Sequence, residues 1–203
     1  MRLVLASTSP SRKALLESAG ANPVIVPPQV DEDALLATLS DLLPAQVVEA
    51  LAEAKLASVA DDYPDDVVIA CDSMLLIDGE LQGKPLTYEE TVKRWQFQRG
   101  RKADLLSGHC IRTPDGTTKT FTSRTQIHFG QVSDADIKRY AASGEPLNSA
   151  GAFTLEAMGG WFIDQIIGDY AGALGLSLQL IRQALYAAGY SVADFLPPAT
   201  PDK

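Results

Sequence analysis

Leu3-Val4-Leu5-Ala6-Ser7-Thr8-Ser9-Pro10-Ser11-Arg12-Lys13-Ala14-Leu15-Leu16 passes from an apolar tetrad, through a serine-rich turn, into a helical pattern. Ser9 at the cap and Pro10 at the first helical position are helix start signals. Arg12 and Lys13 then place two cations in the first turn, where the helix dipole favours anions. A phosphate seated at that N-terminus resolves the conflict, held by backbone N–H groups, the Ser7 and Ser9 hydroxyls and Arg12. An ordinary strand-to-helix turn with solvated cations has the same outline, and the segment leaves both readings open. Arg12, Leu15, Leu16 and Ala19 share one helix face, whereas Lys13 lies on another, four residues before Glu17. Arg12 is therefore the candidate anion ligand and Lys13 a surface ion pair.

From this opening, strand and helix signals alternate along the chain. A helix over Pro10–Ala19 is followed by an extended piece at Pro23–Val26, a helix over Pro44–Asp61 and a buried strand over Val67–Asp72. Asp78-Gly79 is a hairpin turn between Met74–Ile77 and Glu80–Leu81. Thr87 with Glu90 reads as a capping box opening a helix to Gln98. Strands are expected at Ala103–Arg112, Thr117–Phe129 and Trp161–Ile167, and helices from Ser133 to Ala142 and from Ser177 to Ala188. The pattern predicts an α/β fold with a mixed β-sheet, residues 1–196 forming one domain and residues 197–203 a disordered tail.

The 203 residues carry 46% hydrophobic and 21% charged side chains, an ordinary balance for a globular protein. No apolar run reaches the length of a membrane span, and the N-terminus lacks secretory features, so a cytoplasmic protein without membrane partners is expected. The net charge of −9 argues against a polymeric nucleic acid partner, yet a few cations focused in a cleft suffice for a small phosphorylated ligand. Cys71 and Cys110 sit in apolar stretches and read as buried free thiols. His109 and His128 read as structural.

Four further groups could carry chemistry. Lys55 lies on the stripe Val47, Leu51, Lys55, Val59, as a snorkelling lysine or as an ammonium reaching into a cleft. Asp72 ends a run of five apolar residues, a position where α/β folds place reactive groups and where Asp also serves as a cap. Asp31-Glu32-Asp33 is an acidic cluster that by itself reads as a solvated loop. Gly83-Lys84-Pro85 follows the hairpin, with Pro85 keeping Lys84 extended and Gly83 allowing close approach of a ligand.

Together these segments resemble the Maf family of nucleoside triphosphate pyrophosphatases, once described as septum-formation inhibitors. The opening signature, Val30-Asp31-Glu32, Ala52-Glu53-Ala54-Lys55, Cys71-Asp72-Ser73, Asp78-Gly79-Glu80, Gly83-Lys84-Pro85, Gly151-Ala152-Phe153 and Gly168-Asp169-Tyr170 carry the likeness, in unchanged order from about residue 3 to 180. The resemblance implies a Maf/inosine-triphosphatase-like fold, with two lobes around a deep cleft, and a homodimer. It implies hydrolysis of a nucleoside triphosphate to monophosphate and pyrophosphate with Mg²⁺ or Mn²⁺. Asp72 would be the general base, Arg12, Lys55 and Lys84 phosphate ligands, and Glu32 with Asp72 the metal ligands. Ser11, Ala103, Ser177 and the stretches Arg99–Arg101 and Ala171–Ala173 depart from the family pattern. So does Glu156, at a position often Gln in pyrimidine-preferring members. A carboxylate only accepts hydrogen bonds, so facing a nucleobase Glu156 would favour donors such as those of a guanine-type edge. These departures bear on substrate preference more than on reaction class. The alternative is a nucleotide-binding regulator of septum formation that hydrolyses nothing.

Overall fold

The computed structural model describes residues 1–197. Its frame is a seven-stranded mixed sheet of β1 (Leu3–Ala6), β2 (Val24–Val26), β3 (Val67–Ile77), β4 (Glu80–Gln82), β5 (Lys102–Arg112), β6 (Thr118–Phe129) and β7 (Ile163–Ile167). The strand order is β2-β1-β3-β5-β6-β7, with β4 added to β3. β1 runs parallel to both β2 and β3, and the remaining pairs are antiparallel. The tail expected at 197–203 lies, beyond Pro197, outside the described residues.

Strand alternation sends the side chains of β3 to two different cores. Val68 and Ala70 face α3 (Pro44–Ala60), where they meet Ala52, Leu56, Val59 and Ala60. Val67, Ile69 and Cys71 face the other way and join Leu16 of α1 (Pro10–Ser18) with Ile181, Ala184 and Leu185 of α7 (Leu178–Ala187). Further along that second face, Leu75 and Ile77 enter an aromatic cluster under α4 (Tyr88–Gln98) and α5 (Asp134–Ala142). Fully buried Trp95 is its centre, edge-on to Phe129, Tyr140 and Phe162 at 5.4, 5.6 and 5.6 Å. Such pairs contribute roughly 0.5–1.5 kcal/mol each beyond area burial. The Trp95 indole N–H donates to Ala152 O at 2.7 Å, which ties α4 to the short 3₁₀ turn Ala150–Ala152.

Most element boundaries match the sequence pattern within a residue or two, and the differences are informative. Val67–Asp72 and Met74–Ile77 are one continuous strand, because β5 supplies an unbroken ladder from Val68 to Leu76. Asp72 is therefore inside a strand and not at its end. The acidic cluster is no loop: Asp31 caps α2 (Glu32–Ala37), its Oδ1 accepting from the Ala34 amide at 3.0 Å, with Glu32 and Asp33 in the first turn where the dipole favours them. Trp161 and Phe162 do not begin β7 but end a 3₁₀ turn over Met158–Phe162. The short helix α6 (Tyr170–Ala173) gave no periodic signal.

The notch that positions the site comes from β3 having two different neighbours on one edge. β1 pairs with it only at Leu3↔Val67 to Ala6↔Ala70, and β4 only at Leu75↔Gln82 to Ile77↔Glu80. Between them, Cys71 to Met74 have no strand alongside on that edge among the described residues. There the chain leaving β1 turns into α1.

Candidate active site

A cavity of about 620 Å³ opens at this notch, and Ser7, Ser9, Arg12, Glu32, Lys55, Asp72, Lys84 and Glu156 all line it. Every site residue singled out in the sequence thus reaches one space, although they come from six separate segments.

The α1 end is built as its sequence indicates. Ser9 caps the helix with Oγ toward the Arg12 amide, Pro10 occupies the first turn, and Lys13 pairs with Glu17 at 3.7 Å on the surface. Ser7 is buried and accepts from the Ser9 amide at 3.1 Å. Arg12 is more constrained than a free anion ligand. Its Nε donates to Gly175 O at 2.9 Å, Nη1 to Cys71 O at 2.9 Å and Ser7 Oγ at 3.3 Å, and Nη2 to Ser73 Oγ at 3.0 Å. Four of the five guanidinium N–H donors are thereby engaged with protein oxygens. Arg12 clamps three segments together at the notch and, among the described residues, has one N–H without a protein partner. Ser73 Oγ lies 2.7 Å from Ser107 Oγ, which donates to Gly172 O at 3.2 Å, so a polar chain leads from the lining into the buried layer behind it.

Buried His109 holds the chain two residues beyond Gly175, its Nε2 accepting from the Ser177 amide at 2.8 Å. Burial, reinforced by the Arg12 guanidinium, pushes His109 down to about 4, so the ring stays neutral and able to accept. Burial also pushes the Cys71 thiol up to about 12 and leaves it an inert part of the core.

Lys55 extends from the apolar face of α3 and is 5% exposed. Its Nζ lies 2.6 Å from Asp72 Oδ1 and 3.0 Å from Glu32 Oε2. An ammonium so placed is stable only because both carboxylates face it. Of the two readings open for Lys55, the structure selects the one that reaches the cleft. Lys84, exposed at the rim, makes no salt bridge among the described residues. Its segment is nonetheless fixed, because Gly83 O accepts from the Gly151 amide at 3.2 Å and from Arg94 Nη1 at 2.7 Å. Leu86, two residues on, is held at φ 64°, a conformation that costs a non-glycine residue about 1–3 kcal/mol.

Among the described residues, no cluster of three or more His, Cys, Asp or Glu side chains is placed to hold a metal ion. The donor set still suits a hard divalent cation that shares its coordination with a ligand. Glu32 and Asp72 offer carboxylate oxygens at one point, and Mg²⁺ is commonly held by one or two carboxylates plus substrate phosphates. The charge balance points the same way: Glu32, Asp72, Glu145 and Glu156 outnumber Arg12, Lys55 and Lys84 along the cavity. A polyphosphate entering that lining would need an added cation.

His109 keeps the structural role expected of it, whereas Ser73, Ser107 behind the lining, and Glu145 were not singled out in the sequence as part of the site. Their roles depend on partners more than thirty positions away or on a turn without periodic signal, and only the Gly144-Glu145-Pro146 turn punctuation marked the last of them.

A family model described as Maf-like protein matches residues 2–188. The nucleoside triphosphate pyrophosphatase of Corynebacterium diphtheriae is 57% identical over 195 residues, covering 96% of this chain and 98% of the relative. That of Corynebacterium aurimucosum is 56% identical with the same coverage, and that of Rhodococcus erythropolis is 47% identical over 203 residues, covering 95% of each. Among solved structures, the dITP/XTP pyrophosphatase of Mycobacterium abscessus aligns with 65% of this chain and 76% of its own at 14% identity and a TM-score of 0.36, a likeness too slight to carry weight. Matched along almost its whole length by the family model and by close relatives, the chain belongs to the Maf-like protein family.

Proposed function

We propose that this chain hydrolyses nucleoside triphosphates to nucleoside monophosphate and pyrophosphate. The observation that carries the reading is the meeting of Arg12, Lys55, Lys84, Asp72 and the N-terminus of α1 in one cavity. The names of its close relatives support the same reaction.

The residues divide the work as follows. The α1 N-terminus, with the Ser7 and Ser9 hydroxyls and the remaining Arg12 N–H, receives phosphate oxygens. Lys84 adds a mobile point charge from the rim. Lys55 holds Asp72 by Oδ1, leaving Oδ2 to accept a proton from water as its oxygen bonds to the α-phosphorus. The bond from that phosphorus to the bridging oxygen breaks, and pyrophosphate leaves. A divalent cation (Mg²⁺ or Mn²⁺) held by Glu32, Asp72 and the phosphates would balance charge and acidify the water. The wall formed by Phe153, Thr154, Leu155 and Glu156 contains no cationic residue and combines apolar with polar groups, as a nucleobase requires. A carboxylate there favours a base edge that donates. Residues 1–196 act in this reading as one domain whose two lobes flank the cleft. Location in the cytoplasm and pairing into a homodimer rest on the family resemblance and composition.

The purified chain assayed with UTP, dTTP, CTP, GTP, ATP and 7-methyl-GTP, with and without Mg²⁺ or Mn²⁺, tests the proposal. Monophosphate and pyrophosphate in equal amounts are expected, with ¹⁸O from labelled water appearing in the monophosphate. Diphosphate and inorganic phosphate as products, or no turnover of any nucleotide, would overturn it.

A further inference from the structure

Glu145 is the most heavily engaged acceptor along the cavity. Its Oε1 accepts from the Tyr140 hydroxyl at 3.1 Å, the Gly159 amide at 3.1 Å and the Thr154 hydroxyl. Its Oε2 accepts from the Met158 amide at 3.1 Å. Three of those four donors belong to the segment from Thr154 to Gly159, which carries Leu155, Glu156 and Ala157 along the cavity wall. The Thr154 amide donates in turn to the Tyr140 hydroxyl at 3.2 Å. Tyr140 and Glu145 therefore grip this segment at both of its ends.

The segment has little else to hold it, since it belongs to no strand ladder and only its last residues enter a 3₁₀ turn. Its closure is tight. A Cβ at Gly159 would meet Thr154 O at 2.5 Å and the Tyr140 hydroxyl at 2.6 Å, and one at Gly160 would meet Leu155 O at 2.5 Å. The anchor beneath is rigid, because Tyr140 is buried against Trp95 and Phe162. Burial alone would raise the Glu145 carboxyl, but the hydrogen bonds from Thr154, Gly159 and Met158 hold it below the ordinary glutamate range. A carboxylate kept ionised can accept from all four donors at once, which a neutral amide cannot.

We infer that Glu145 is a positioning residue for nucleobase discrimination: it fastens the Thr154–Gly159 turn to α5 and so fixes the wall against which the base lies. The inference rests on the reading of the cavity as a nucleoside triphosphate site. Among the described residues Glu145 makes no salt bridge to Arg12, Lys55 or Lys84, so its loss loosens the base wall while leaving the phosphate-binding groups in place.

Glu145→Gln is the direct test, because it keeps the shape but turns one acceptor oxygen into a donor facing donors. Thr154→Val removes a single donor and serves as the milder companion, informative even where Glu145→Gln folds poorly. Steady-state kinetics on UTP, dTTP, CTP and GTP are paired with hydrogen exchange at the Met158 and Gly159 amides. For Glu145→Gln, KM on the preferred nucleotide rises about tenfold while kcat stays within about threefold, the size expected from losing one charge-assisted hydrogen bond. The ratio of kcat/KM between preferred and least preferred nucleotides falls by about tenfold, and both amides exchange faster. Thr154→Val moves each quantity the same way by less. Unchanged KM and discrimination in the variants, a loss confined to kcat, or unaltered exchange would overturn the inference. A wild-type chain that turns over no nucleotide would overturn the functional reading by itself. The exchange rates, and discrimination read as ratios of nucleotide dissociation constants, would still decide the role of Glu145.

Discussion

Replacing Lys55 by Met isolates the interaction at the centre of the cavity. Met approximates the length and volume of the lysine stem, so the apolar packing on α3 is kept and the change removes the charge. Asp72, 8% exposed, then loses the ammonium 2.6 Å from Oδ1. Breaking a buried pair by removing one partner costs about 3–5 kcal/mol, because the remaining charge is left uncompensated. The cavity admits water to Asp72, and Glu32 is half-exposed and rehydrates cheaply, so the lower end applies: about 3 kcal/mol. At about 2–4 °C per kcal/mol for a chain of this size, the melting temperature should fall by about 6–12 °C. Scanning calorimetry near neutral pH on wild type, Lys55→Met, Asp72→Asn and the double variant measures this directly. The double variant, with neither charge, should recover at least about 1.5 kcal/mol relative to the sum of the singles. A single variant melting within about 2 °C of wild type, or strict additivity in the cycle, would refute the buried pair as the reason for Lys55's position.

Lys84→Ala should melt within about 1 °C of wild type, since the side chain is exposed and makes no salt bridge among the described residues, yet lose about tenfold or more in kcat/KM; wild-type kinetics would remove Lys84 from the site. Asp72→Asn should nearly abolish turnover while nucleotide binding, followed by calorimetric titration, persists; sustained pyrophosphate release would transfer the base role elsewhere. His109, depressed to about 4 from an ordinary 6.5, binds its proton more readily in the unfolded chain. Its contribution is complete above about pH 6.5 and declines as the pH falls toward 4, by roughly 2–3 kcal/mol between about pH 7 and pH 4.5. Urea unfolding of His109→Gln should therefore show a shallower loss of stability over that interval than wild type, and parallel pH profiles would contradict the assignment.

Much of this molecule is written locally in its sequence, and the exceptions share a cause. The Ser9-Pro10 start of α1, the Asp78-Gly79 hairpin and the Thr87 cap of α4 are short-range devices, and each appears where its residues indicate. The stripe carrying Lys55 was equally readable, although not what the ammonium would meet. The Arg12 clamp could not be read, because Gly175 O and Cys71 O are backbone acceptors with no signature in sequence. The continuity of β3 through Asp72 was hidden for a related reason: the ladder that sustains it belongs to β5, some thirty residues later. Asp31 shows the opposite failure, a local cap signal read as mere solvated charge.

The single strand shared by β1 and β4 also limits how this protein can be altered. Since side chains alternate sides along it, one residue inserted between Asp72 and Leu75 would turn over whichever half yielded. Either the aspartate would swing away from α3 and its lysine, or Leu75 and Ile77 would leave the aromatic core for the opposite side. Rims and turns around the opening can drift in length, but the stretch from Ala70 to Leu75 has one workable spacing, and directed changes of specificity should leave it untouched.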